Sequence, residues 1–214
     1  VENHTTIKNC ECLHFPSVSI RHIRSYTVRV PLIFTIHDTI PLFYPKYSPL
    51  IKSLAWRLTS TYAVHKATSI ITVSEYSKQD IIKYLHVDPD CVHVIYTAPD
   101  PIFRPLRTVC NPVGKPYVLT VVSIEPRKNI PNLVKAYEIF REHGYQQKLV
   151  VIGGDMWGTE QSYQAMKQSK YAQDIIHIPY QPKEKTVMYY NSADLLVWPS
   201  LYEGFGLPPL EAMA

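Results

Sequence analysis

The sequence lacks any apolar run that approaches the ~20 residues of a membrane-spanning helix, so we expect no membrane-embedded domain. It also lacks a concentration of charge of one sign. The formal net charge is +4, and the basic residues are dispersed along the chain. This mildly basic balance suits an anionic ligand or a negative membrane surface, but it gives no reason to expect nucleic-acid binding.

Cysteine is scarce, with four residues in 214: Cys10, Cys12, Cys91 and Cys110. They are too few for a disulfide framework and suit a reducing compartment. Cys10 and Cys12 lie close to His14, but no second Cys/His pair follows at zinc spacing. We therefore favour core or surface cysteines over a metal site. No N-terminal segment has the pattern of a secretory signal, so we expect a cytoplasmic protein.

Two common phosphate-binding sequences are also missing: the G-x-G-x-x-G of dinucleotide-binding folds and the Gly-Lys-Ser/Thr phosphate loop. A basic pair is present instead, because Arg127 and Lys128 follow a predicted strand and precede a predicted helix. A guanidinium fork and a mobile ammonium can bracket a diphosphate and supply the positive charge that a metal would otherwise provide. We therefore expect no metal and no cofactor. The alternative is an exposed basic pair at a loop.

The most informative segment is the turn from Glu203 to Glu211, which contains two glycines and two prolines. Residues 194–199 before it predict a buried strand, and the residues after it predict a helix. The glycines let the backbone approach a ligand, and the prolines suit a first helical turn. A helix start attracts anions, whereas the flanking carboxylates suit hydroxyl donors. A ligand with phosphate and many hydroxyls is a nucleotide sugar.

Carboxylates eight residues apart around a Gly-Phe-Gly turn resemble the signature of retaining glycosyltransferases of the GT-B fold, in particular the large family 4, or group 1. Pro199-Ser200 before the turn and residues 211–214 after it match that family as well. Residues 125–129 and His37-Asp38 match further upstream, in the family's order. The resemblance covers the chain from about residue 30 to its end.

Predicted strands and helices alternate along the chain, which indicates a doubly wound α/β fold. Residues 175–178 predict one of these strands, and Ser74 and Asn129 are candidate N-caps of two of the helices. The resemblance implies a GT-B type protein with two Rossmann-like parallel-sheet units, both incomplete at the chain ends. We assign residues 1–98 to the C-terminal part of the N-terminal, acceptor-side domain. Residues 99–116 contain five prolines and are interpreted as an interdomain linker. Residues 117–214 are then a truncated C-terminal nucleotide-sugar-binding domain.

The resemblance also implies roles for the residues of the carboxylate turn. Glu203 would act at the transferred sugar by accepting hydrogen bonds from its hydroxyls. Glu211, expected in the first turn of the helix, would accept from the ribose hydroxyls. The amides of three residues would contact phosphate or sugar: Phe205, Gly206 and Leu207. The alternatives are a solvated acid at Glu203 and a carboxylate that only favours the helix dipole at Glu211.

Further roles implied by the resemblance concern three residues upstream of the turn. Arg127 and Lys128 would hold the donor's diphosphate. His37 would be catalytic, bonding the donor sugar or assisting proton movement near the acceptor. Its alternative is a histidine bonded to nearby backbone, and Asp38 could simply orient the histidine or cap the following turn. Relatives commonly have glycine where this chain has Val122, whose bulk is expected to hinder approach to the donor.

The implied activity is transfer of a sugar, with a mild preference for mannose, from a nucleoside diphosphate sugar to an acceptor hydroxyl with retained anomeric configuration. The acceptor would be a saccharide or a lipid-linked saccharide in polysaccharide biosynthesis, with peripheral contact at the inner face of the membrane. Two alternatives stay open. One is a truncated, non-catalytic remnant of such an enzyme, and the other is a GT-B protein similar to glucan synthases or phosphorylases.

Overall fold

The computed structural model describes residues 10–19, 29–43 and 50–214 of the chain. Two compact units form. Unit 1 comprises Val1–Thr97 together with Glu203–Phe205, and unit 2 comprises Ala98–Tyr202 together with Gly206–Ala214. The predicted carboxylate turn is therefore divided, with its first three residues in unit 1 and its remainder in unit 2.

Unit 1 contains a four-stranded parallel sheet in which the strands follow their order along the chain. They are β1 (Leu13–Phe15), β2 (Leu32–Thr35), β3 (Ser69–Thr72) and β4 (Val92–Val94). Phe34 and Ile70 pair in register on β2 and β3 and are completely buried. Such short apolar runs are typical of parallel strands that are covered on both faces.

The described helices of unit 1 lie between its strands. They are α1 (Ile40–Phe43), α2 (Leu50–Lys66) and α3 (Glu75–Leu85), with a 3-10 helix at Pro89–Cys91 before β4. Ser74 is the N-cap of α3, since its Oγ accepts a hydrogen bond from the amide of Ser77 at 3.0 Å. A serine oxygen at this position satisfies one of the amides that the first helical turn leaves without a partner. The predicted start of α3 is thereby confirmed.

Unit 2 contains a second parallel sheet of four strands, in the order β7-β6-β5-β8. The strands are β5 (Tyr117–Val121), β6 (Lys148–Ile152), β7 (Ile175–Ile178) and β8 (Leu195–Leu196). The helices are α4 (Ile130–Glu142), α5 (Glu160–Gln168), α6 (Lys183–Ser192) and α7 (Leu207–Met213), with 3-10 helices at Pro126–Lys128 and Ala172–Asp174. Leu119 and Val150, paired on β5 and β6, are completely buried at the centre of the sheet.

The prediction of a buried strand at residues 194–199 is wrong in extent and in burial. Only Leu195–Leu196 form β8, and the side chain of Leu195 is 54% exposed. β8 lies at the edge of the described sheet and pairs with β5 alone. An apolar run at an edge can therefore be half exposed, although its composition is that of a central strand.

The proline-rich segment 99–116 has no regular helix or strand and is fastened to α6 within unit 2. Phe103 is 5% exposed and packs edge-on against Tyr190, with 5.5 Å between the ring centroids. Asn191 accepts from the amide of Leu106 at 2.8 Å and donates to the carbonyl of Arg104 at 3.1 Å. These contacts fix the segment on unit 2.

Within the parts of the chain that the structure describes, no helix has both the length and the apolar character needed to cross a bilayer.

Candidate functional site

The order of the strands in unit 2 reverses at one place in its sheet, next to β5. The chain runs from β5 through β6 to β7 on one side, and β8 returns to the other side of β5. Ligands of open α/β sheets bind outside the carboxyl ends of the strands where the order reverses in this way. The segments that leave the sheet at this point are residues 122–129 after β5 and residues 197–202 after β8.

Arg127 lies on the 3-10 helix Pro126–Lys128, directly before α4, and is 8% exposed. Its Nη2 donates to Oε1 of Glu125 at 2.5 Å, and its Nη1 donates to the carbonyl of Tyr202 at 2.7 Å. Glu125 is also buried and accepts a further bond from Oγ of Ser123 at 3.1 Å. The alternative of an exposed basic pair is therefore wrong. The guanidinium is built into the loop by a buried ion pair.

Three hydrogen bonds join the segment after β5 to the segment after β8. Besides the bond from Arg127 to Tyr202, the amide of Leu201 donates to the carbonyl of Arg127 at 2.9 Å. Nδ2 of Asn129 donates to the carbonyl of Pro199 at 3.1 Å. Asn129 is the N-cap of α4, as predicted, with a left-handed backbone (φ 59°), although its side chain makes no cap bond to the helix. The side-chain amide of Asn129 binds the segment after β8 instead.

Lys128 is buried to the same degree as Arg127. Its Nζ lies 5.5 Å from the ring centroid of Trp198, within the range of a cation–π contact. Trp198 in turn donates from Nε1 to Oγ of Ser200 at 2.5 Å. The two cations therefore lie in the loop at the carboxyl end of β5, where backbone and an aromatic ring of the segment after β8 contact them.

The start of α7 offers few amides, because Pro208 and Pro209 follow Leu207 in its first turn. Gly206, with φ 132°, precedes the helix. Proline has no N–H, so the helix start can offer only the amides of Gly206 and Leu207. Glu211 is the fifth residue of α7 and not part of its first turn, which corrects its predicted place. A role confined to the helix dipole is not supported there, since that effect fades beyond the first turn.

Glu211 is half-buried and accepts a hydrogen bond at Oε2 from the hydroxyl of Tyr190, at 2.7 Å. Burial, and then the bond to this carboxylate, raise the pKa of Tyr190 well above its ordinary value. The phenol therefore stays protonated over the whole physiological range and remains a donor. Tyr190 was not among the predicted site residues.

In unit 1, His37 follows β2 and is exposed. Its Nε2 lies 3.1 Å from the carbonyl of Pro16, and because a carbonyl can only accept, Nε2 is the donor. His37 is thus bonded to nearby backbone, as the alternative interpretation of this residue predicted. The bond leaves Nδ1 for another partner. Oδ1 of Asp38 accepts from the amide of Ile40 at 3.0 Å, so Asp38 caps the turn into α1.

Gly204 lies against His37 and Asp38 within unit 1. A Cβ at Gly204 would lie 2.3 Å from the carbonyl oxygen of His37 and 3.1 Å from Cβ of Asp38, so only glycine fits there. The carbonyl of Gly204 accepts from the hydroxyls of Ser74 at 2.6 Å and Ser77 at 3.0 Å. The segment Glu203–Phe205 is thus held beside the His-Asp pair.

The remaining predicted residues divide between the units. Glu203 and Phe205 lie in unit 1, both half-buried, and the ring of Phe205 is 6.3 Å from that of Tyr96. Gly206, Leu207 and Glu211 lie in unit 2, the unit that contains the basic pair.

The expected obstruction by Val122 is wrong. Its side chain is 6% exposed and packs into the core with Val118 and Ile124. The close approach at this point is made by Gly153 after β6, where a Cβ would lie 1.7 Å from the carbonyl oxygen of Val122. Val122 therefore contacts the loop after β6 through its backbone, while its side chain packs in the core.

Among the described residues, no group of three or more His, Cys, Asp and Glu side chains could hold a metal ion. One Asp-x-Asp sequence occurs at Asp88 and Asp90. There Oδ1 of Asp88 accepts from the amide of Asp90 at 3.0 Å and caps the 3-10 helix before β4. Its local geometry is that of a turn.

A model of the family described as glycosyl transferases group 1 matches residues 108–214, which is half of the chain. The chain belongs to this family. A second model, described as glycosyltransferase family 4, matches residues 10–102. The resemblance found in the sequence motifs is therefore confirmed over both units.

Similar curated proteins include two O-antigen chain mannosyltransferases. O-antigen chain mannosyltransferase B of Escherichia coli is 29% identical over 191 residues, which is 85% of this chain and 50% of the relative. O-antigen chain mannosyltransferase RfbU of Salmonella typhimurium is 26% identical over 189 residues, 86% of this chain and 51% of the relative. This group 1 chain thus spans about half the length of these two curated relatives.

Among solved structures, that of Anabaena Alr3699/HepE in complex with UDP and glucose is similar over 98% of this chain and 59% of the other. The TM-score is 0.77 and the sequence identity 17%. At this identity the likeness shows the fold alone. The chain has the parallel α/β units of a GT-B type group 1 glycosyltransferase, as predicted.

Some residues of the candidate site were missed by sequence reasoning. Glu125 stands in a matching motif, but nothing in the motif shows that it pairs with Arg127. Ser74 and Ser77 read as residues of a helix start. Their bonds to Gly204 span 130 and 127 residues along the chain, so no local signal could reveal them.

Proposed function

We propose that the protein containing this chain transfers a sugar from a nucleoside diphosphate sugar to a hydroxyl of a saccharide or lipid-linked saccharide acceptor, with retention of anomeric configuration. Mannose is the preferred donor sugar, because relatives at 26–29% identity are named mannosyltransferases. The structure of HepE in complex with UDP and glucose supports a nucleotide-sugar donor for this fold.

One observation carries the proposal: Arg127 and Lys128 lie buried at the point where the strand order of unit 2 reverses, Arg127 held by hydrogen bonds and Lys128 against the ring of Trp198. Sugar transfer leaves negative charge on the departing diphosphate. Cations that are already held in place stabilise such charge without the cost of reorganisation, and their effect is strongest where water is excluded. A guanidinium and an ammonium side by side therefore suit the leaving group of a nucleotide sugar.

Within unit 2 we assign Glu211 to the ribose hydroxyls and the amides of Gly206 and Leu207 to phosphate or sugar. In unit 1 we assign His37 and Glu203 to catalysis at the transferred sugar, with Phe205 beside them. The departing phosphate oxygen can take the proton of the acceptor hydroxyl on the same face of the sugar, so the reaction needs no separate protein base. A cytoplasmic location with peripheral contact at the inner membrane face stays a prediction.

The test is calorimetric titration of the full chain with GDP and with UDP, comparing wild type with Lys128→Gln. The substitution removes one cation and keeps the length of the side chain closely similar. We expect affinity for the binding nucleotide to fall by about tenfold or more, the range of a lost charged hydrogen bond. Lys135→Gln is the matched control, because Lys135 is an exposed lysine of the adjoining helix α4 and should leave affinity unchanged.

Transfer itself is tested with radiolabelled GDP-mannose, UDP-glucose and mannose 1-phosphate, offered with a saccharide acceptor to the full chain. Transfer from a nucleotide sugar alone supports the proposal. Transfer from the sugar phosphate would favour a phosphorylase. Binding of neither nucleotide by the wild-type chain, together with no transfer, would refute a donor site and favour a non-catalytic remnant.

A further inference from the structure

We infer that Tyr190 is a positioning residue for Glu211, and that the proline-rich segment 99–116 holds Tyr190 in place through Phe103. The inference rests on the proposed function, because it takes Glu211 as the acceptor for the ribose hydroxyls. It adds two residues and one segment of the chain to the donor site, none of which touches the donor directly.

The first step is the bond between the two side chains. The hydroxyl of Tyr190, on α6, donates to Oε2 of Glu211, on α7, at 2.7 Å. An ionised carboxylate can accept about four hydrogen bonds, so this bond leaves about three acceptor positions for two vicinal hydroxyls. It also fixes the carboxylate against rotation about the three single bonds of the glutamate side chain. Without it, ligand binding would have to order that side chain.

The second step is the immobilisation of Tyr190 itself. The ring of Phe103 meets that of Tyr190 edge-on, at 5.5 Å and an interplanar angle of 87°. This arrangement is favoured between aromatic rings. The side chain of the next residue, Asn191, bonds to the backbone on both sides of Pro105. It accepts from the amide of Leu106 and donates to the carbonyl of Arg104. The proline-rich segment therefore holds both α6 and the ring of Tyr190 in place.

The third step concerns the state of the phenol. Burial and the carboxylate both favour the neutral hydroxyl, so the pKa of Tyr190 lies above its usual range. The proton therefore stays on the tyrosine oxygen, and the carboxylate stays an acceptor for the ligand. Raising the pH to about 9 should therefore leave the hydrogen bond intact, because the pKa of a free phenol is about 10 and that of Tyr190 is higher.

The experiment titrates the full chain with GDP and UDP and with the 2′,3′-dideoxy form of each. Tyr190→Phe removes one oxygen and keeps the ring. We expect it to weaken binding of the ribonucleotide by about tenfold, the effect of losing a hydrogen bond to a charged group. Binding of the dideoxy form, which has no ribose hydroxyls for Glu211, should stay as in wild type. Tyr189→Phe, on the same helix, is the matched control and should change neither.

Two further variants keep the outcome decisive. Glu211→Gln should also weaken the ribonucleotide selectively, and Phe103→Leu should do so by about threefold, a smaller effect than losing the bond itself. Equal weakening of both nucleotide forms by Tyr190→Phe, or no weakening, overturns the positioning role and leaves the proposed function intact. Failure of the wild-type chain to bind any of the four ligands overturns the proposed function and this inference together.

Discussion

The turn after β2 in unit 1 and the loop after β5 in unit 2 are held in place in different ways. Both follow a buried parallel strand and carry predicted site residues. In unit 1 the side chain of His37 is exposed, and the tight packing is made by the backbone of Gly204. In unit 2 the side chains of Arg127 and Lys128 are themselves buried, the first with hydrogen bonds and the second against the ring of Trp198.

The difference teaches how far function and stability can be separated. A residue whose side chain builds the loop cannot be changed without loosening the loop. A residue that only projects from a rigid backbone can be changed at little structural cost. We therefore expect substitution of Arg127 or Lys128 to affect folding and binding together, and substitution of His37 to affect function alone.

The largest effect on stability is expected from Glu125→Gln, which leaves Arg127 buried without its carboxylate. Breaking a buried ion pair costs roughly 3–5 kcal/mol. Urea unfolding of wild type and variant measures the loss. Glu142→Gln is the control, because the Glu142–Lys170 pair is about half exposed and such pairs contribute little. Equal losses in the two variants would contradict the structural role of Glu125.

A smaller loss is expected from Gly204→Ala. The new Cβ would lie 2.3 Å from the carbonyl oxygen of His37, so the backbone must shift, at a cost of about 1–3 kcal/mol for overpacking. Gly154→Ala is the matched control, because its nearest neighbour, Cβ of Tyr180, would lie at an ordinary 3.6 Å. Urea unfolding is again the measurement. If Gly204→Ala left the free energy of unfolding unchanged, the turn would not be packed against His37.

The loop after β6 extends the comparison to alkaline pH. Burial and a 2.5 Å hydrogen bond to Asp155 raise the pKa of Tyr163 to about 12. The folded pKa is above that of the unfolded chain, so the bond's contribution is complete below about pH 10 and is lost as pH rises towards 12. Wild type should therefore lose more stability than Tyr163→Phe between those values, as followed by urea unfolding. Parallel losses would show that Tyr163 ionises normally.

The smallest effect on stability is expected from His37→Gln, within about 0.5 kcal/mol, because the side chain is exposed. Sugar transfer should nevertheless fall by about 100-fold if the histidine takes part in proton movement. His65→Gln is the control, since His65 is another exposed histidine bonded by one ring nitrogen to a backbone carbonyl. It should change neither quantity. Unchanged transfer in His37→Gln would leave His37 as a backbone-bonded residue only.

Local features of the fold could be predicted from sequence. The cap at Ser74 and strand β7 were predicted at the positions the structure gives them, because a cap and an apolar run between turns act over a few residues. The orientation of Val122 could not be predicted from its type. The same holds for the exposure of Leu195, which depends on the position of β8 at the edge of the sheet.

Motif spacing indicated two segments that the structure joins in unit 2, residues 125–129 and 199–202, but not the contacts between them. The bond from Arg127 to Tyr202 joins residues 75 positions apart, and that from Tyr190 to Glu211 joins residues 21 apart on two helices. Such pairs depend on how strands and helices pack, which periodicity does not specify. The place of Glu211 beyond the first turn of α7 depended similarly on where the helix begins.

The attachment of the proline-rich segment has a practical meaning for dissecting the molecule. A shortened version that starts at residue 117, the predicted domain boundary, would delete Phe103 and uncover the ring of Tyr190. It would also remove the two backbone groups of this segment that bond to Asn191, the amide of Leu106 and the carbonyl of Arg104. Cutting at residue 98 keeps this bracket, so crystallographers who want the second unit by itself should begin there.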